Sequence, residues 1–105
     1  MKKTTLSNSY NEFLSQVKVG IREVSEMTGI TVRQLRYWEE KKIITSVNPN
    51  SSTRQFTLAD IKKALLIKEL IDDGYSLDGA AAKIEKRLKS INSLMDLIDL
   101  KSMEP

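Results

Sequence analysis

At 105 residues the chain has room for one domain with a short appendage and a core of modest size. It contains neither cysteine nor histidine, which excludes disulfides, thiolate metal sites and imidazole general bases. The net charge of +3 is unevenly placed: nine Lys/Arg face five Asp/Glu over residues 1–56, and eight face nine over residues 57–105. The basic front half is where a nucleic-acid footprint would lie. No carboxylate pair or Ser/Lys spacing resembles a catalytic site, so the reading is a non-enzyme without cofactor or metal. Lys2 and Lys3 precede no apolar run of signal-peptide length, and the apolar stretches 64–67 and 79–82 are far too short to span a bilayer. The expected location is therefore cytoplasmic, with no membrane partner.

Residues 1–8 are polar and read as a frayed arm. Ser9 followed by Glu12 is a capping-box pattern. Tyr10, Phe13, Leu14 and Val17 recur at helical spacing, which predicts a short helix over about 10–18. Ile21, Val24 and, weakly, Thr28 line a second helix that ends at Gly29, a residue suited to positive φ. Thr31 with Gln34 forms another capping box, and Val32, Leu35 and Trp38 make the inward side of the helix that follows. Ile43, Ile44 and Val47, a dense turn over 48–52, and an alternating 53–56 read as a two-stranded hairpin with a five-residue tip. Thr57 to Asp60 opens a helix that is apolar on much of its surface, through Leu58, Ile61, Leu65, Ile67, Leu70 and Ile71. Gly74 ends it and Ser76 caps the next, whose stripe runs Leu77, Ala80, Ala81, Ile84, Leu88, Ile91, Met95 and Ile98. From Ile84 the steps are heptad-like, but the run is too short for a coiled coil. Ser90, Asn92 and Ser93 predict a break in this helix.

The stretch 21–40 carries the functional signal. Ser25, four residues before Gly29, is small enough to let two helices approach, and Val24, Ile30, Leu35 and Trp38 occupy the inward positions. That is the helix-turn-helix layout, in which the second helix enters the major groove of DNA. The fold class is therefore mainly α with a small β-hairpin, a winged helix-turn-helix. Arg33 and Gln34, in the first turn, have the chemistry to read guanine and adenine edges. Thr31 and the helix N-terminus offer donors to a phosphate. Tyr37 lies one turn beyond Arg33 on the same face, and Arg54 sits on the hairpin, where a wing meets the backbone. Arg36 is equally able to touch DNA or to pair with Glu39, Glu40 or Asp60. Lys41 and Lys42 read as a solvated helix end, and Trp38 as core rather than a stacking platform.

The run from Val32 to Glu40, Ile43 and Ile44, and then Arg54 to Ile61 resembles the DNA-binding domain of the MerR family of bacterial transcriptional regulators. The resemblance covers about residues 19–87, and 67–76 resembles that family's third helix, turn and fourth-helix start. Trp38 and Phe56 stand where the family often has tyrosine. Without a long C-terminal dimer helix or effector domain, the chain is more similar to compact members, including nitrogen regulators that answer to glutamine synthetase. In those a short N-terminal helix helps form the dimer, so the resemblance implies a dimerisation role for Tyr10, Phe13, Leu14 and Val17. The same stripe is equally able to pack on its own domain.

The organisation expected is an arm and short helix over 1–18, a winged helix-turn-helix over 19–87 and an apolar helical tail over 88–105. The tail, with Leu94, Leu97 and Leu100 off the main stripe, is expected to be buried intramolecularly, in a dimer, or against a regulatory protein. The reading is a homodimeric, sequence-specific regulator on double-stranded DNA. Its rivals are an architectural or excisionase-like DNA-binding protein and an interaction module that has lost DNA binding.

Overall fold

A computed structural model describes residues 2–49 and 51–103, with side chains placed for residues 9–49, 51–91 and 94. The order is α1 (Lys2–Gln16), β1 (Lys18–Gly20), α2 (Ile21–Thr28), α3 (Val32–Glu40), β2 (Gln55–Thr57), α4 (Leu58–Asp72) and α5 (Leu77–Met103). The chain divides into two compact units, Met1–Leu65 and Leu66–Pro105.

In the first unit the core is Ile21, Val24, Ile30, Leu35, Trp38, Ile44, Phe56, Ile61 and Ala64, all buried. These are the inward positions that the helical spacing predicts, supplemented by Ile44 and Phe56 from the segments around the wing. The two-stranded antiparallel pairing is present, but its partners differ from the expectation. Phe56 sits opposite Val19, and Gln55 opposite Gly20, so β2 pairs with the segment before α2. Ile43 and Ile44 instead close the end of α3: their amides donate to the Trp38 carbonyl at 2.9 and 3.5 Å. The apolar β-branched run that suggested a strand serves as a helix stop and a core plug.

α1 also begins earlier than Ser9. The stripe that starts at Tyr10 extends backwards in the sequence to Leu6, four residues earlier, so the helix continues through the polar segment and Ser9 lies inside it. Side chains of residues 1–8 lie outside the described residues.

The second unit buries Ile67, Ala80 and Ile84. Gly74, with φ of 106°, ends α4 as expected, and the Tyr75 amide donates to the Leu70 carbonyl at 3.0 Å. Ser76 caps α5 through the Gly79 amide at 3.0 Å. The predicted break at 90–93 does not occur, and α5 runs unbroken for 27 residues. Single polar residues cost only a few tenths of a kcal/mol each in a long helix, too little to interrupt it. Along it exposure rises from 1% at Ile84 to 38% at Leu88, 49% at Ile91 and 58% at Leu94, so the chain by itself does not bury these last three. The side chains of Met95, Leu97, Ile98 and Leu100 lie outside the described residues. Among the described residues no helix is long and apolar enough to cross a membrane, and no group of acidic side chains could hold a metal ion.

One local feature carries a stability prediction. Lys42 follows α3 with φ of 62°, the left-handed region, while its amide bonds the Glu39 carbonyl at 2.9 Å. A side chain there costs roughly 1–2 kcal/mol, which glycine avoids at an unfolded-state cost of about 0.5–1 kcal/mol. Lys42→Gly is therefore expected to stabilise the fold by about 0.5–1 kcal/mol, read as a higher urea midpoint at unchanged slope. A lower midpoint would show that the Lys42 side chain contributes more than its backbone costs.

Candidate nucleic-acid interface

The turn between α2 and α3 is built from short-range bonds. Gly29 takes φ of 77° and its amide donates to the Ser25 carbonyl. Thr28, weakly placed on the core stripe by spacing, is 8% exposed and works as a staple. Its hydroxyl donates to the Val24 carbonyl at 2.7 Å and accepts the Ile30 amide at 3.1 Å. Both polar groups of a buried hydroxyl are thereby satisfied. Thr31 then opens α3 with the expected capping box: its hydroxyl accepts the Gln34 amide at 3.0 Å, and its own amide donates to Gln34 Oε1 at 3.1 Å.

With Leu35 and Trp38 buried and Val32 half-buried, the helix phase turns Arg33, Gln34, Arg36 and Tyr37 outward, and all four are exposed. Arg33, Arg36, Tyr37 and Glu40 recur at i, i+3, i+4 and i+7, and with Val32 they line one shallow concavity. The Lys41 ammonium lies 5.5 Å from the Tyr37 ring centroid, adding a cation beside the phenol. Of the acidic neighbours that spacing offered to Arg36, Glu39 pairs with Arg54 and Asp60 accepts from the Thr45 and Thr57 hydroxyls. The capping box engages Gln34 Oε1, because Thr31 Oγ1 also donates to it at 3.2 Å. Gln34 thus presents its amide NH2 outward as a donor, and the Thr31 hydroxyl is committed to the cap.

The wing, residues 45–54, is held more by side chains than by a strand ladder. Among the described residues a single backbone bond, from the Val47 amide to the Gln55 carbonyl at 2.8 Å, crosses its base. Asn48 crosses it twice more, accepting the Gln55 amide and donating to the Thr53 carbonyl, each at 2.9 Å. Asp60 accepts from the Thr45 hydroxyl at 3.2 Å and from the Thr57 hydroxyl at 2.9 Å, tying the wing's start to the N-terminus of α4. The Arg54 carbonyl accepts the Ile21 amide at 3.0 Å, tying the wing's end to α2.

Arg54 itself is mostly enclosed. Its side chain is 16% exposed, and Nε lies 2.9 Å from Glu39 Oε1, whose side chain is 7% exposed. The contact is a Coulombic pair without an aligned hydrogen bond from Nε. The sequence reading missed Glu39, Ser46 and Asn48 as wing anchors. A signal existed for Glu39: it stands four residues after Leu35 and directly after Trp38, on the flank of the buried stripe, where a carboxylate needs a partner. Trp38 and Phe56, at 3% and 1% exposure, are core.

Tyr10 and Phe13 on α1 are each 63% exposed, while Leu14 and Val17 are half-buried. The four residues of the expected dimerisation stripe thus split into an outward pair and an inward pair.

Residues 20–87 match the MerR HTH family regulatory protein family. The chain is 38% identical over 71 residues to the HTH-type transcriptional regulator TnrA of Bacillus subtilis, covering 68% of this chain and 62% of that protein. It is 34% identical over 56 residues to the HTH-type transcriptional regulator GlnR of Bacillus anthracis, covering 53% and 43%. A match of 31% over 61 residues links it to the HTH-type transcriptional regulator CueR of Yersinia pestis, covering 57% and 44%. The chain thus spans less than two thirds of the length of these relatives. Its fold is like the crystal structure of a MerR-family transcriptional regulator from Bacillus cereus, with a TM-score of 0.57 at 18% identity over 82% of this chain and 70% of that one. The winged helix-turn-helix geometry and the match over most of its length place the chain in the MerR HTH family of regulatory proteins.

Proposed function

We propose that the chain is a sequence-specific, double-stranded DNA-binding transcription regulator that acts as a homodimer in the cytoplasm. The observation that carries this reading is the outward face of α3, where Arg33, Arg36 and Tyr37 stand exposed at helical spacing behind a capped N-terminus. Arg33 is the base reader, because a first-turn guanidinium reaches the floor of the major groove and can bond a guanine edge with two donors. Gln34 adds an amide donor suited to an acceptor such as guanine O6 or thymine O4. Arg36 and Tyr37, further along the helix, contact sugar and phosphate, and the amides behind Thr31 face a phosphate. Arg54 supplies the wing's cation to the backbone of the duplex.

The homodimer uses α1, where Tyr10 and Phe13 present aromatic surface to solvent and Leu14 and Val17 carry the stripe inward. The exposed Leu88, Ile91 and Leu94 on α5 form a second apolar strip, to which we assign either the other protomer or a regulatory protein. The names of the relatives, HTH-type transcriptional regulators, support the regulatory role.

The test is capture of sheared genomic DNA by the purified protein at near-physiological salt, followed by sequencing. An inverted repeat with half-sites about one helical turn apart is the expected product. Salt-sensitive retention without a motif would favour an architectural role, and no retention would overturn DNA binding by the isolated chain. Arg33→Ala is expected to cost about 1–3 kcal/mol on the recovered site and to relax preference at one base position. An unaltered motif would remove Arg33 from base readout. Arg54→Ala is expected to weaken binding to all sequences alike and to lower the salt slope by about one unit. An unchanged slope would end its assignment as a phosphate contact.

A further inference from the structure

Glu39 is an anion on an element that has to approach a polyanion. It is 7% exposed, so it also bears a desolvation cost. Both penalties need an offset, and the offset lies in what its two oxygens hold. Oε2 accepts the Ser46 hydroxyl, and Oε1 faces Arg54 Nε at 2.9 Å. Ser46 precedes the wing tip and Arg54 follows it. One carboxylate on the last turn of α3 therefore grips both limbs of the wing, whose β2 pairs with β1.

The grip also orients a cation. A guanidinium is a rigid plane, so holding its Nε end beside Oε1 restricts where the terminal nitrogens can lie. Arg54 lines the clefts on both sides of the wing, each about 500 Å³, one with Glu39 and Ser46 and the other with Gly20 and Arg22. It thus sits at the wing's root with a small part of its side chain open.

We propose that Glu39 is a positioning residue for DNA binding: it touches no DNA itself, and it holds the wing and the Arg54 guanidinium in register with α3. This rests on the DNA-binding reading above. The opposite possibility is also physical, since Glu39 could compete with phosphate for Arg54, and the two differ in sign. A competing carboxylate weakens binding, so its removal tightens it. A positioning carboxylate strengthens binding despite its charge.

The experiment uses the full chain as wild type, Glu39→Gln, Arg54→Gln, the double variant and Ser46→Ala. The probe is a labelled random-sequence duplex several helical turns long, titrated across a series of potassium chloride concentrations. Glu39→Gln is expected to bind about tenfold more weakly, although it removes a negative charge. Its salt slope is expected to fall by about one unit, as for Arg54→Gln, because one phosphate contact is lost. The double variant is expected to bind no more weakly than Arg54→Gln alone, since Glu39 acts through that residue. A loss of folded protein alone would change the active fraction and leave the slope untouched. If Glu39→Gln does not fold, Ser46→Ala carries the test, with a few-fold weakening expected. Tighter binding by Glu39→Gln, additive losses in the double variant, or unchanged binding by Ser46→Ala in that case would overturn the proposal. Wild-type protein that fails to bind the duplex would overturn the DNA-binding reading and this inference with it. Wild-type binding that Glu39→Gln leaves unaltered would overturn this inference alone.

Discussion

A nine-residue helix has no appreciable stability of its own in water. α3 therefore exists only because Leu35 and Trp38 are buried, and that burial is the constraint from which the candidate interface follows. Once those two side chains face inward, the period of the helix leaves Arg33, Arg36, Tyr37 and Glu40 on a single outward face. Both ends of α3 are then closed locally. Thr31 and Gln34 satisfy orphan amides at its start, and the left-handed Lys42 with the Ile43 amide closes its end. The helix backbone that carries the outward face is thus closed at both ends without a ligand, which lowers the backbone ordering cost of binding.

The wing solves a different problem. With strands of only three residues, a ladder cannot define a loop of this length. Polar side chains take over: Asn48 closes the loop on itself, Asp60 holds its start, and Glu39 reaches both limbs. Each such bond contributes on the order of 1 kcal/mol net, and only for the largely enclosed Glu39–Arg54 pair does leaving a partner unpaired cost more than making the contact gains. The arrangement therefore sets position more than it adds stability.

Much of the fold was legible because its signals are local. Gly29, the Thr31–Gln34 box, Gly74 and the Ser76 cap each act within a few residues, and the buried members of α2 and α3 follow helical spacing. The failures have a common cause in long-range partner choice. Ile43, Ile44 and Val47 carry strand-like side chains, but strand propensity measures fit to a surface that must be supplied by other segments. Here Lys18–Gly20 supplies the pairing to β2, and a segment of three residues has no period to read. The pairing of Arg54 with Glu39 is likewise a contact across 15 positions that spacing along one helix cannot reveal. The outward residues of α3 were legible for the converse reason: exposure needs no partner.

The proposed homodimer also follows from how little one α3 can read. A single recognition helix brings three or four side chains to base edges, and each wrong base pair costs about 1–3 kcal/mol. One protomer would thus separate its site from random sequence only modestly, against a genome that offers about a million or more competing sites. Electrostatics does not make up the difference. The front half of the chain has nine basic side chains against five acidic ones, and Glu40 lies on the proposed reading face itself. The phosphate term is therefore moderate and, being blind to sequence, adds nothing to discrimination. Two rigid α3 helices held at a fixed separation multiply their selectivities at no added cost in charge. That requirement gives a physical reason for apolar side chains such as Tyr10 and Phe13, each 63% exposed in the single chain, to be retained at its surface.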